Sequence, residues 1–163
     1  MAEKTAPLVL DRIDRRILEC LQQDGGLSNQ ELAEKVGLSP SPCLRRVRAL
    51  EEAGIILKRV TLLDRKKLGL SLTVILNIGM DRHTPERFEE FEKAVAALPE
   101  VQECYLVTGQ EADYQLKVVV PDMDAYQAFL LGKITRIPGV SGVHSSFVLR
   151  RVIDNTEMPL GYL

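Results

Sequence analysis

LSPSPCLRRVRALEEAGII, running from Leu38 to Ile56, is the stretch on which the reading of this chain turns. Ser39 opens a helix as N-cap and Pro40 takes its first position, where a missing N–H costs nothing. Pro42 still lies in the first turn and leaves the hydrogen-bond ladder intact. The helix is expected to run from Ser39 to Ala53 and to be closed by Gly54. Turning the residues by 100° each puts Cys43, Leu44, Val47 and Leu50 in one apolar sector about 100° wide. Ser41, Arg45 and Arg48 gather on the opposite side, with Glu52 one turn further on. Arg46 lies between the faces, open to a phosphate-binding or a structural role. An arginine fork near a helix N-terminus can hold the O6/N7 pair of a guanine or grip a phosphate. The alternative is a merely solvated cationic face.

What precedes this helix decides between those two. Asp11 is placed to N-cap a first helix, with Asp14 at N3 in the favourable half of the helix dipole. Ile13, Ile17, Leu18 and Leu21 form one apolar face, and the stretch from Gln22 to Gly26 ends it. Ser28 and Glu31 form a capping box for a short second helix that carries Leu32 and Val36 inward and stops at Gly37. A short helix, a Gly-centred turn and a longer basic helix make a helix-turn-helix. Beyond Gly54, the β-branched run Ile55 to Leu63 is expected to form a wing strand, with Lys58 and Arg59 skirting a nucleic-acid backbone.

The charge distribution agrees. Across all 163 residues the formal net charge is −2, but Pro40 to Arg59 holds five basic residues against two acidic ones. From Lys66 to Leu163 the balance reverses, ten basic against thirteen acidic. Where the charge sits matters more than its sum. The longest charge-free stretches, Leu68 to Met80 and Ile137 to Leu149, are 13 residues each, too short to span a bilayer. Residues 1–10 offer no signal-peptide core, so a cytoplasmic location is expected. Cys20, Cys43 and Cys104 are widely spaced, an odd number without a C-x-x-C, and read as small buried hydrophobes in a reducing compartment.

The last two thirds alternate strand and helix. Leu70 to Gly79 (LSLTVILNIG) is a strong strand. Pro85 opens an amphipathic helix carrying Phe88, Phe91, Val95 and Leu98. Val101 to Thr108 and Asp113 to Val120 are further strands, and Pro121 and Asp122 start a helix with Tyr126, Phe129 and Leu130 inward. Val140 to Leu149 is the last strand. The order βαββαβ is that of a ferredoxin-like sheet with two helices on one face. An internal echo supports it: Phe91, Leu98, Pro99 and Val101 recur 39 residues later as Leu130, Ile137, Pro138 and Val140. The uncovered sheet face is expected to be apolar enough to need a second copy of the chain.

Taken together, the chain resembles the Lrp/AsnC family of transcription factors over nearly its whole length, from Leu10 to about Leu160. The resemblance rests on LDRIDRRILECLQQDG (Leu10 to Gly25), on the opening stretch, and on ECYLVTG followed by ADY (Glu103 to Gly109, Ala112 to Tyr114). It implies an α+β chain: an N-terminal winged helix-turn-helix joined by a strand to a C-terminal ferredoxin-like βαββαβ ligand-sensing domain. The corresponding segments are an N-terminal tail (1–9), the DNA-binding domain (10–59), a linker strand (60–67), the effector and oligomerisation domain (68–152) and a C-terminal tail (153–163). The resemblance further implies binding to double-stranded DNA, homodimers assembling into tetramers, octamers or larger particles, and an amino-acid effector rather than a cofactor. The DNA-facing set is then Ser39, Ser41, Pro42, Arg45, Arg46 and Arg48, with Lys58 and Arg59 from the wing.

The effector residues it implies surround the hairpin between the second and third strands: Tyr105, Leu106, Val107, Thr108, Gly109, Asp113 and Tyr114, with Met123 at the next helix. Asp113 would accept an α-ammonium group, backbone N–H groups near Gly109 an α-carboxylate, and Leu106, Val118 and Met123 an apolar side chain. Mostly apolar neighbours favour a hydrophobic effector such as leucine or methionine. Asp113 as a turn cap and Tyr114 as a packing residue form the alternative. Where the family commonly spaces this turn Gly-x-x-Asp-Tyr, the run from Gly109 to Tyr114 carries one more residue and the charge of Glu111. Two rivals remain: an architectural DNA-binding protein without an effector, and an enzyme resembling tetrapyrrole decarboxylases. For the latter the chain offers only His83, in a loop, and His144, on a strand, and no metal cluster or catalytic triad. The intact basic helix argues against an enzyme.

Overall fold

The computed structural model describes residues 9–108 and 112–162, which divide into two compact units. Residues up to 62 form the first together with those from 153 onward, and residues 63–152 form the second.

Three helices make the first unit: α1 (Arg12–Gln23), α2 (Asn29–Val36) and α3 (Pro40–Glu52). The Ser28/Glu31 capping box forms, and Asp11 with Asp14 makes a second one at α1. The Asp11 carboxylate accepts the N–H groups of Ile13 and Asp14 at 2.8 Å each while Asp14 reaches back, and Ser28 and Glu31 do the same for α2. Gly37 ends α2 with φ +74°, the left-handed turn that glycine takes without a steric penalty. Ile17, Leu32, Cys43 and Leu50 are fully buried at the centre, joined by Leu18, Ala33, Val36 and Val47. Each buried large aliphatic side chain contributes roughly 1.5–3 kcal/mol. Leu44 departs from the expected apolar sector and is exposed, because it lies at the sector's edge, past the reach of α1 and α2.

No wing strand and no linker strand form among the described residues: after α3 the chain is irregular to Asp64 and then turns over residues 65–69. A strand needs a ladder partner, and this segment has none among the described residues. Leu57, Val60, Leu62 and Leu63 are exposed along it. The C-terminal segment is not a free tail but belongs to the first unit. Gln22 on α1 accepts the Met158 N–H at 2.6 Å and donates to its carbonyl at 3.2 Å, and Leu160 packs on the helical core.

The second unit is β1 (Leu72–Met80), α4 (Pro85–Ala96), β2 (Val101–Leu106), β3 (Tyr114–Val120), α5 (Met123–Gly132) and β4 (Val140–Phe147). The sheet is antiparallel with order β2-β3-β1-β4, the ferredoxin-like arrangement. Its helix-covered face packs Val74, Leu76 and Ile78 of β1 and Leu116 and Val118 of β3 against Phe91, Val95, Tyr126 and Phe129. The sequence echo is a repeated turn: the Val101 N–H donates to Leu98 O at 3.1 Å, and the Val140 N–H to Ile137 O at 3.3 Å.

The other sheet face is chiefly polar, contrary to expectation. Pairing puts Thr73, Ile75 and Asn77 beside Gln115, Lys117 and Val119, flanked by Glu103 and Tyr105 and by His144 and Ser146. Cross-strand contacts join them, Gln115 to Asn77 at 3.2 Å and Lys117 to Glu103 at 2.6 Å. Arg65 reaches the Thr73 hydroxyl from the turn before β1. Among the described residues paired on this face, Ile75 and Tyr105 supply apolar surface, while Val119 is buried.

Candidate DNA-facing helix and effector hairpin

On α3 the buried and exposed residues alternate as a helix packed on one side requires. Cys43, Val47 and Leu50 are buried, whereas Ser41, Arg45 and Arg48 are exposed, and neither arginine has an ion-pair partner among the described residues. Ser39 is the N-cap but its side chain makes no capping hydrogen bond. Since Pro40 and Pro42 have no N–H, Ser41 supplies the only backbone donor of the first three positions. Pro42 is half-buried, and the Asn29 amide ties α2 to the Pro40 carbonyl at 2.8 Å.

Arg46 takes the structural of its two roles. Its guanidinium bridges Asp11 at 2.7 Å and Asp14 at 2.8 Å, clamping α3 to the start of α1. The pairing with Asp14 and Asp11 pushes the guanidinium further up. The Asp14 N–H, then the Arg46 side chain, hold the Asp11 carboxyl below its usual range. Lys58 and Arg59 lie on the irregular segment after α3. Arg59 makes a loose 3.4 Å contact with Glu51, worth little in water.

The hairpin between β2 and β3 is more crowded. Asp113 is locked by its backbone, donating to Ile78 O at 2.8 Å and accepting the Val107 N–H at 2.9 Å. Its carboxylate accepts the Met80 N–H on Oδ2 at 2.7 Å and meets His83 Nε2 on Oδ1 at 2.7 Å. The pairing of β1 with β4 slips at Gly79/Met80, beside the point where the Met80 N–H turns to this side chain. Tyr114 is buried between Phe88 and Phe91, and its hydroxyl donates to Glu92 at 2.8 Å. Burial, then the Glu92 carboxylate, drive this phenol far above its ordinary value. Asp113 thus accepts a main-chain N–H on one oxygen and faces the exposed His83 with the other, while the Tyr114 ring packs in the core.

Tyr105, Leu106 and Thr108 are exposed and Val107 is half-buried, while Gly109 lies outside the described residues. The Tyr105 hydroxyl donates to Glu103 at 2.9 Å. Leu106 and Tyr114 line a groove of roughly 370 Å³ between α4 and β2, shared with Glu92, Val95 and Cys104. Cys104 is thus exposed, unlike the half-buried Cys20 and the buried Cys43. Two residues expected at the apolar slot stand elsewhere. Val118 is fully buried beneath the helices. Met123 is exposed beyond the far end of β3, and seven strand residues at about 3.3 Å each put it on the order of 20 Å from the hairpin.

Three participants escaped the sequence reading: His83, Glu92 and the Met80 N–H. His83 stood out only as a loop histidine, and Glu92 carried no signal beyond its place on an amphipathic helix. His144 is exposed on β4 opposite Asn77.

A basic helix-turn-helix unit followed by a ferredoxin-like unit defines a DNA-binding regulator with a sensing domain. Comparison with known proteins agrees: residues 10–56 match the winged helix-turn-helix DNA-binding family and residues 73–158 the Lrp/AsnC ligand binding domain. The chain is 49% identical over 149 residues to the leucine-responsive regulatory proteins of Klebsiella pneumoniae and Escherichia coli K12, covering 91% of this chain and 90% of each relative. A transcriptional regulator of Neisseria meningitidis, solved with L-Met, superposes with a TM-score of 0.90 at 39% identity, covering 94% of this chain and 99% of that one. An AsnC family transcriptional regulator from Agrobacterium tumefaciens gives 0.89 at 43% identity, with the same coverage. The chain belongs to the Lrp/AsnC family, and is a DNA-binding transcriptional regulator rather than an enzyme.

Proposed function

We propose that this regulator binds double-stranded DNA through Ser39, Ser41, Pro42, Arg45 and Arg48, with Lys58 and Arg59 on neighbouring phosphates, and that a hydrophobic amino acid controls it. The observation that carries the DNA half is the division of α3 into a buried apolar face and an exposed face with two arginines unpaired among the described residues. The amino-acid half is supported by the matched ligand binding domain and by the L-Met complex of the Neisseria regulator. Asp113 offers the anionic anchor, with Tyr105, Leu106, Val107 and Thr108 around it; Gly109, outside the described residues, is proposed with them from the sequence. Met123 joins such a site only from a second copy, which favours a homodimer assembling into a tetramer or octamer. The exposed Leu57, Val60, Leu62 and Leu63 favour self-association as well. The absence among the described residues of any helix long and apolar enough to cross a membrane accords with a cytoplasmic regulator.

Selection of bound fragments from a genomic DNA library, at two salt concentrations and with or without L-methionine or L-leucine, tests this. Pseudo-palindromic sites about one helical turn apart, altered in occupancy by either amino acid, are expected. Random fragments lost steeply with salt, and no response to either amino acid, would make the protein architectural instead.

A further inference from the structure

The geometry points to His83 as a gate on Asp113, an imidazole that holds the carboxylate oxygen an effector's ammonium group must take. This inference rests on Asp113 being the effector anchor. Backbone bonds to Ile78 and Val107 fix the main chain of Asp113, and the Met80 N–H holds its carboxylate. The Met80 N–H occupies Oδ2. Oδ1 belongs to His83, whose side chain is 67% exposed against 23% for that of Asp113. An ionised carboxylate only accepts, so Nε2 carries the proton of this contact. A cation approaching Asp113 from solvent therefore meets the imidazole first.

The loop that carries His83 suits a gate. It is pinned on either side: the Asp81 N–H donates to Gly139 O at 2.8 Å, and Thr84 caps α4 through the Arg87 N–H. Between those anchors the imidazole lies beside Phe88, ring centroids 6.1 Å apart, and its 67% exposure leaves room for a side-chain rotation that would part it from Asp113. The Met80 bond survives that exchange, so the anchor keeps its aim when the ligand arrives. The ligand exchanges one hydrogen bond for another, and affinity is lowered by the worth of the bond given up. His83 thereby sets the amino-acid concentration at which the regulator responds.

Calorimetric titration of the full chain with L-methionine and with L-leucine tests the gate, using His83→Ala, His83→Gln and Asp113→Ala. Removing the imidazole is expected to tighten binding about five-fold, equivalent to roughly 1 kcal/mol for one net hydrogen bond. His83→Gln places an amide N–H at similar reach and is expected to stay within about two-fold of the parent. Asp113→Ala is expected to lose binding. Loss in Asp113→Ala with unchanged or weaker binding in His83→Ala overturns the gate and leaves the anchor standing. Full binding by Asp113→Ala, or no binding of either amino acid by the parent, overturns the anchor and the gate together. The protein has two histidines, so their imidazole NMR signals are easily separated. At saturation with L-methionine the His83 signal is expected to move and the His144 signal to stay, and a stationary His83 signal overturns the gate.

Discussion

The exposed face of α3 and the hairpin at Asp113 are both polar surfaces built to meet something, yet they are held in opposite ways. On α3 the guanidinium groups of Arg45 and Arg48 reach into solvent with no partner among the described residues, so binding DNA displaces only water and counterions. At the hairpin Asp113 is already engaged by Met80 and His83, and Tyr114 by Glu92. A ligand there must exchange partners. A free face gives affinity set by charge, whereas an occupied one gives a response with a threshold. The difference suits a protein that stays near DNA and changes state only when its effector is abundant.

The largest effect is expected where the free face is removed. Arg45→Ala with Arg48→Ala should cost site-specific DNA binding on the order of 100-fold or more, at about 1–3 kcal/mol for each bidentate contact. Sedimentation should find the parent's state of assembly unchanged, because neither side chain touches a core. Parent affinity in that double variant would erase the contrast between the two surfaces. A smaller effect, confined to the second unit, is expected from Gly139→Ala. Gly139 has φ +92°, and a Cβ there would lie 2.3 Å from Arg87 Cδ. Strain of about 1–3 kcal/mol should appear as a lower melting temperature, read through Tyr105, Tyr114 and Tyr126. An unchanged transition would show that the turn before β4 tolerates an L-residue.

The same contrast explains what the sequence disclosed. Caps, helix faces and strand order depend on residues within a turn or two, so Asp11, Ser28, Gly37 and the buried side of α3 were legible. So was the repeated turn at Leu98 and Ile137. The hairpin site was not, because its partners come from afar: Met80 is 33 residues from Asp113, and Glu92 is 22 from Tyr114. No local pattern announces such pairs. Val118 and Met123 stand apart from the hairpin within one chain for a related reason, since alternation along β3 buries the first and strand length separates the second. No strand forms over residues 55–63, because β-branched residues show a preference for extended backbone while a strand also requires a neighbour.

Arg46 sharpens the comparison within α3 itself, one position from Arg45 and two from Arg48. Arg46→Ala would strip the cation from Asp14, whose side chain is 12% exposed, and should lower stability by about 1–2 kcal/mol. DNA affinity, measured well below the melting temperature, should change no more than a few-fold. A loss as large as that of the Arg45/Arg48 variant would place Arg46 on the DNA-facing side and undo its structural assignment.

The smallest effect concerns pH. The Asp14 N–H first, and then the Arg46 guanidinium, depress the Asp11 carboxyl below its ordinary value of 3.8. A carboxyl depressed in the folded state contributes stability above its unfolded value, and that contribution fades as pH falls through the folded one. Asp11→Asn keeps a good N-cap but carries no charge to titrate. The parent should therefore melt slightly higher than this variant near neutral pH, and the gap should close below about pH 4. A gap of equal size at pH 3 and pH 7 would mean that the cap works through its shape alone. The clamp of α3 on α1 would then owe nothing to the charge of Asp11, and Asp14 would be the residue that holds Arg46 away from the DNA-facing side.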